Sequence, residues 1–161
     1  MNSLINLGWN SFFEQSVSED EFSSFFIARV TDEQRGMYRV ITEQGEFPAV
    51  VSGKFRYKAE ETDEFPTVGD WVLARGSSVE VNLMDEKLFI ERILPRKSVL
   101  SRKLVDGHTP DKITAVSQPI VSNIDTVFIM SSLNNEFNPR RLERYISLAW
   151  NSNAVPVILL S

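Results

Sequence analysis

The sequence predicts an all-β barrel of five short strands followed by an α/β segment left incomplete after one βαβ unit. Three observations lead there. Across residues 22–94, short stretches of alternating apolar and polar residues are separated by turn residues, the pattern of a small antiparallel sheet. Across residues 125–161, two unbroken apolar runs flank an amphipathic stretch, which reads as strand, helix, strand. Between these regions lie Pro95, Gly107, Pro110 and Pro119 with little periodicity, which reads as linker. The chain thus divides into an N-terminal arm over 1–21, a barrel over 22–95, a linker over 96–121 and the opening of a second domain over 122–161.

The arm comes first. Ser11, Phe12, Phe13 and Glu14 fit a capping box that starts a short helix. Leu4, Leu7, Trp9, Phe12 and Phe13 are its apolar contacts, and the reading is an arm packed on the following domain. A partner-binding helix is the alternative.

The barrel strands follow. Residues 22–31 form the first, with Phe26, Ala28 and Val30 alternating against Ile27 and Arg29, and residues 32–36 are a polar turn. Met37–Thr42 is the second. Residues 43–46 turn, and residues 47–51 place Phe47, Ala49 and Val51 on one face. Residues 69–74, 79–84 and 87–94 supply the rest. Five or six short strands in about 75 residues hide their edges by closing on themselves. A Val-Gly-Asp turn, here Val68, Gly69 and Asp70, leads into an apolar strand. That favours an OB-type barrel, with an SH3-like barrel as the alternative.

Within the interval 53–68, Lys54, Phe55, Arg56 and Tyr57 interleave bases with aromatics, and Lys58 follows. Rings stack on nucleobases while cations hold phosphate, so the pattern suits a nucleic-acid surface. The competing reading is a strand with its aromatics inside and its charges outside. Gly53 and Lys54 do not belong to a phosphate loop, because that motif needs Gly at 48 and a hydroxyl at 55, where the chain has Pro48 and Phe55. The stretch 95–103 holds Arg96, Lys97, Arg102 and Lys103 without an intervening acid. His108, the single histidine, has no companion for metal binding or a catalytic dyad and reads as exposed and non-catalytic. No nucleophile is paired with a base at an identifiable spacing, so no catalytic group is assigned.

In the closing segment, residues 127–130 and 155–160 are rich in β-branched residues, as in parallel strands covered on both faces. Asn138 is an N-cap and Pro139 sits at the first helical position. Leu142, Tyr145, Ile146 and Ala149 then form one stripe, and Arg140, Arg141, Glu143 and Arg144 the wet side. A lone βαβ unit leaves a sheet face open, and the expectation is strand pairing with another copy, element swapping or aggregation.

The totals bound the function. The 161 residues are 42% apolar and 24% charged, an ordinary globular composition. Cysteine is absent, which excludes disulfides, thiolate catalysis and cysteine-ligated zinc in these residues and makes a reducing cytoplasm the default. No run approaches membrane-span length, and neither a basic flank nor an apolar core of a signal peptide opens the sequence. The net charge of −5 argues against a surface that attracts nucleic acid everywhere. The signs are segregated, however, and a local basic patch remains.

An ordered set of stretches carries a resemblance: VSGKFRY (51–57), FPTVGDWV (65–72), ILPRKS (93–98), SRK (101–103), SNIDTVFI (122–129), SSLNNEFNPRRLERYISLAW (131–150) and VPVILLS (155–161). Together they resemble the ribosome small-subunit-dependent GTPase A family, also called RsgA or YjeQ, from about Gly8 to Ser161. The resemblance implies an N-terminal OB barrel that touches ribosomal RNA, then a GTPase domain with motifs in circularly permuted order, then a zinc domain. It implies a cytoplasmic parent protein that hydrolyses GTP during late maturation of the small (30S) ribosomal subunit. In the family, the strand matching 155–160 runs directly into a guanine-recognition motif. That motif, the phosphate loop, the switch segments and the zinc ligands would follow Ser161, so GTP, Mg2+ and a structural zinc are expected of the parent. For these 161 residues the expectation is no nucleotide site, no metal and no GTP hydrolysis.

The expected RNA contacts are therefore Lys54, Arg56, Tyr57 and Lys58 first, Arg96, Lys97, Arg102 and Lys103 second, and Arg35 and Arg39 third. The partner is the small subunit and its RNA. A non-enzymatic protein-interaction module, favoured by the acidic balance, is the alternative.

Overall fold

The computed structural model describes residues 2–59, 62–76, 87–105, 115–134 and 137–161. They fall into two compact units, Met1–Arg96 and Lys97–Ser161. In the first, β1 (Phe26–Gln34), β2 (Met37–Thr42), β3 (Gly45–Val51), β4 (Trp71–Arg75) and β5 (Leu88–Ile93) close a barrel in the order β1-β2-β3-β5-β4. Strand β3 runs parallel to β5, and the other neighbours are antiparallel. This is the five-stranded Greek-key closure of an OB fold rather than an SH3-like one. The strand read at 79–84 lies outside the described residues.

Side-chain alternation builds two apolar clusters on the two sides of the barrel wall. Ala28, Val30, Val40, Phe47, Ala49, Val72, Leu88 and Ile90 point inward and are buried. Trp71 and Leu73 point outward from β4, yet they are buried too, because Leu4, Phe13 and Val17 of the arm cover them. That double burial explains why Trp71, Val72, Leu73 and Ala74 read as an unbroken apolar run.

The arm comprises α1 (Asn2–Asn6), α2 (Ser11–Glu14) and α3 (Glu19–Ser24). Three local readings change here. The N-cap of α2 is Asn10, whose side chain accepts from the Phe12 N–H at 3.0 Å, and not Ser11. The capping box lies one helix later: Ser18 caps α3 by accepting from the Glu21 N–H, and Glu21 reaches back to the Ser18 N–H. This box holds residues 22–24 in the helix, so β1 begins at Phe26 rather than at 22. At its other end β1 continues to Gln34, which leaves Arg35 and Gly36 as the turn, both at positive φ.

Glu21 also pairs with Arg92 at 3.0 Å. The hydrogen bond from the Ser18 N–H, ahead of the Ser18 hydroxyl and the Arg92 charge, holds its carboxyl below the ordinary 4.5. A lowered carboxyl contributes stability that is present above the unfolded value and is lost as pH falls through the folded one. The stability difference between the wild type and Glu21→Gln should therefore be full at neutral pH and vanish in acid well below 4.5. Urea unfolding at both pH values measures it, and a pH-independent difference excludes the assignment.

The second unit holds a further correction. Where the sequence shows linker, β6 (Val99–Val105) and β7 (Ala115–Ser122) pair antiparallel. Pro119 sits within β7 beside a bulge in the same strand, where Leu100 pairs with Val121 and Ser101 with Pro119 so that Ile120 is the extra residue, which masks the period-2 pattern. His108 lies outside the described residues. The βαβ unit forms as read: β8 (Thr126–Ser131), α5 (Pro139–Asn151) and β9 (Val155–Leu160), with β8 and β9 parallel. Asn138 caps α5 by accepting from the Arg141 N–H at 3.1 Å, and Pro139 opens it. Ala149 is fully buried on the apolar stripe. Ile129 and Ser131 are buried on one face of the two-stranded sheet, while Phe128 and Met130 on the other are 67% and 74% exposed. No helix among the described residues is long and apolar enough to cross a membrane.

Candidate nucleic-acid interface

The basic-aromatic interval is neither loop nor strand but a helix, α4 (Gly53–Lys58), between β3 and β4. Ser52 starts it. The Ser52 N–H continues the barrel ladder by donating to the Ile90 carbonyl, and its hydroxyl accepts from the Phe55 N–H at 3.1 Å. The same hydroxyl donates to Glu91 Oε2 at 2.9 Å. Phe55 anchors the helix, packing on the barrel core and on Phe65, with ring centroids 6.1 Å apart. Helical spacing then puts Lys54, Tyr57 and Lys58 together on one face. All three are exposed, Tyr57 to 92%. An aromatic ring so fully in water between two cations gains nothing for the fold.

Arg56 points another way. Its Nη2 stands 4.0 Å from where a Cβ on Gly36 would be, beside the β1–β2 turn that carries Arg35. Arg39 lies on the outer face of β2, exposed, opposite Pro48 of β3. Met37, next to that turn, is 60% exposed. The turn is not purely basic, since Glu33 Oε1 accepts from the Gly36 N–H at 3.1 Å and Asp32 accepts from Gln34. Tyr38, between Met37 and Arg39, points into the core. Burial first, then the charge of Glu33, pushes its hydroxyl up to about 12, against the opposing charge of Arg56. It is a core residue and no part of the exposed face.

Arg96 differs from the other cations. Its Nε and Nη2 donate to Asp70 Oδ1 and Oδ2 at 2.8 and 2.7 Å, and Nη1 and Nη2 also donate to the Asp63 and Phe65 carbonyls at 2.9 Å each. Asp70 is fully buried and its Oδ2 accepts from the Thr67 N–H at 2.8 Å. Gly69, at φ 91, makes the turn that delivers the carboxylate. Arg96 is thus a clamp on the approach to β4, with its guanidinium engaged by protein acceptors.

The remaining bases belong to the second unit. Lys97 pairs with Asp125 at 3.1 Å, both well exposed. Arg102 is exposed and donates twice to its cross-strand partner Gln118, at 2.9 and 2.7 Å. The Lys103 backbone pairs with Ser117 in the same ladder. In the first unit the structure therefore brings together α4 and the β1–β2 turn. Spacing alone does not reveal Phe55 as the anchor of α4 or Asp70 as the partner of Arg96.

Among the described residues, the Phe55 and Arg56 N–H groups of α4 donate to the Ser52 hydroxyl and carbonyl, and no group of three or more histidine, aspartate or glutamate side chains is placed to hold a metal ion.

The RsgA GTPase family model matches residues 93–161. The chain is 44% identical over 135 residues to "Small ribosomal subunit biogenesis GTPase RsgA 2" of Lactiplantibacillus plantarum, a match spanning 84% of this chain and 35% of that protein. It is 33% identical over 159 residues to the protein of the same name from Vibrio vulnificus, spanning 99% of this chain and 39% of that one. Among solved structures it superposes on YloQ, a circularly permuted GTPase, with TM-score 0.56 and 18% identity, over 89% of this chain and 43% of that one. The fit to YjeQ from Thermotoga maritima has TM-score 0.57 and 20% identity, over 84% and 41%. The chain spans between 35% and 39% of those two curated relatives' own length. The sequence matches reach across both units, and on them the chain belongs to the RsgA GTPase family.

Proposed function

We propose that the barrel unit is the RNA-docking part of a cytoplasmic GTPase that assists late maturation of the small ribosomal subunit. The carrying observation is Tyr57, 92% exposed between Lys54 and Lys58 on a helix whose only apolar anchor is Phe55. The names of the relatives support the target, and the chemistry of exposed rings beside cations supports RNA as what is touched. Lys54, Tyr57 and Lys58 form the primary face. Arg56, Arg35 and Arg39 extend it over the β1–β2 turn and β2, the side from which OB barrels reach oligonucleotides. Arg102 and Lys103 supply a separate basic strand in the second unit, with Lys97 nearby in sequence. GTP hydrolysis, with Mg2+ and a structural zinc, belongs to the whole protein, and this chain alone does not hydrolyse GTP.

The test is cosedimentation of the chain with small subunits before and after RNase digestion. An RNA reader loses its target on digestion. Undiminished binding overturns the proposal in favour of a protein-binding module.

The exposed sheet face of the second unit makes a separate demand. With Phe128 and Met130 open to water and Val155 63% exposed, β8 and β9 pair with another copy or aggregate. Light scattering should give a mass above the monomer's. A clean monomer with slow hydrogen exchange in β8 and β9 excludes this.

A further inference from the structure

We propose that the outward face of α5, in the second unit, is a further RNA contact in which Arg140, Arg141 and Arg144 hold the phosphate backbone. The inference rests on the reading above for RNA as the polyanion, and not on α4. Charge is divided unequally along the sequence. Residues 97–161 carry seven Lys and Arg against five Asp and Glu, whereas residues 1–96 carry ten against seventeen. The positive balance belongs to the second unit, and three of its seven bases stand on α5 beside a single acid, Glu143.

The helix gains nothing from these charges. Ala149 is fully buried, and helical spacing puts Arg140 and Arg144 on the side opposite to it, with Arg141 on their flank. Arg140 and Arg144 stand four residues apart, and Arg141 and Arg144 three apart, so both pairs set like charges on neighbouring positions, which weakens a helix. Arg140 and Arg141 also lie in the first turn, where the macrodipole disfavours cations, and that turn holds no acid. All three side chains are exposed. No ion pair among the described residues involves them. The Asn138 side chain takes the Arg141 N–H at 3.1 Å, so the site is a face of side chains and not the end of the helix.

A bound polyanion turns these costs into attraction. One helical turn sets Arg140 and Arg144 about 6 Å apart along the axis, close to the interval between neighbouring phosphates of one strand. Each guanidinium fork can meet a phosphate through two parallel N–H bonds. Tyr145, 44% exposed, steadies Arg144, whose guanidinium lies over its ring at 5.6 Å from the centroid. An acidic protein would have to present carboxylates at that same spacing, whereas any RNA strand does so by its covalent structure.

The experiment measures binding of a labelled RNA hairpin to the full chain by fluorescence anisotropy across a salt series. Combining Arg140→Gln, Arg141→Gln and Arg144→Gln, which keeps a similar helix propensity, should flatten the slope of log affinity against log salt by about 2 to 3 units. Arg140→Lys, Arg141→Lys and Arg144→Lys together should keep the slope, because the charges remain. Glu143→Gln should tighten binding about twofold, as expected of one solvent-screened charge, a gain that a damaged fold cannot mimic. The chain with Lys54, Arg56 and Lys58 replaced by alanine is measured in parallel and separates the two surfaces. A flattened slope there but not in the glutamine variant overturns the α5 contact and leaves the barrel reading standing. The reverse result supports α5 and removes α4, and unchanged slopes in both variants overturn both. Polyglutamate that displaces the hairpin as well as unlabelled RNA does overturns the proposal in favour of an acidic protein partner, and weaker binding by Glu143→Gln overturns it too.

Discussion

Replacing Arg96 by alanine lowers the stability of the barrel unit by about 3–5 kcal/mol, a large fraction of what a domain of this size possesses. The reason is what remains behind. Asp70 is fully buried, and Arg96 is its bidentate partner at 2.7 and 2.8 Å. Truncation strands a carboxylate where solvation is poorest, and it also removes a donor from the Asp63 and Phe65 carbonyls. Lysine is no substitute, because one ammonium cannot span two carboxylate oxygens and two carbonyls in a fixed plane. Removing both partners has the opposite logic. Asp70→Leu combined with Arg96→Met should recover most of the loss, since the desolvated charge disappears with its counterion. Urea unfolding followed by the emission of Trp9 and Trp71 in a Trp150→Phe background reads the result. A single-variant loss below about 1 kcal/mol would mean that the pair is incidental.

This clamp marks the limit of what the sequence discloses. The apolar alternation of Ala28, Val30, Phe47 and Ala49 is local, and so are Asn138 and Pro139 at the start of α5, so barrel and βαβ unit are both legible by eye. The helical state of Gly53–Lys58 is not, because in six residues one aromatic anchor serves strand and helix equally well. The decision falls to Ser52, which caps the helix while its backbone still belongs to the ladder beyond Ile90. Arg96 stands in a basic run and reads as a phosphate contact. Its partner lies 26 residues upstream, and nothing in the local pattern joins them. The hairpin of β6 and β7 is hidden by a proline and a bulge, which interrupt the alternation that would reveal it.

Once Arg96 is read as a clamp, the RNA proposal rests on fewer cations, and its strength is then measurable from salt. Each phosphate contact adds about 0.7 to 0.9 to the slope of log affinity against log salt. Replacing Lys54, Arg56 and Lys58 together by alanine should flatten that slope by about 2 to 3 units. Over a fourfold rise in salt the wild type would then lose roughly 20- to 40-fold more affinity for small subunits than the triple variant does. Tyr57→Ala should behave differently, costing about 1–3 kcal/mol of stacking with the slope unchanged. The two signatures are separable in one titration series, because a cation reports through counterions and a ring does not. All four side chains stand on a helix held by Ser52 and Phe55, so none of these changes should unfold the barrel. Parallel slopes for the wild type and the triple variant would remove α4 from the interface. A steepened slope for Tyr57→Ala would show that its ring positions a cation instead of meeting a base.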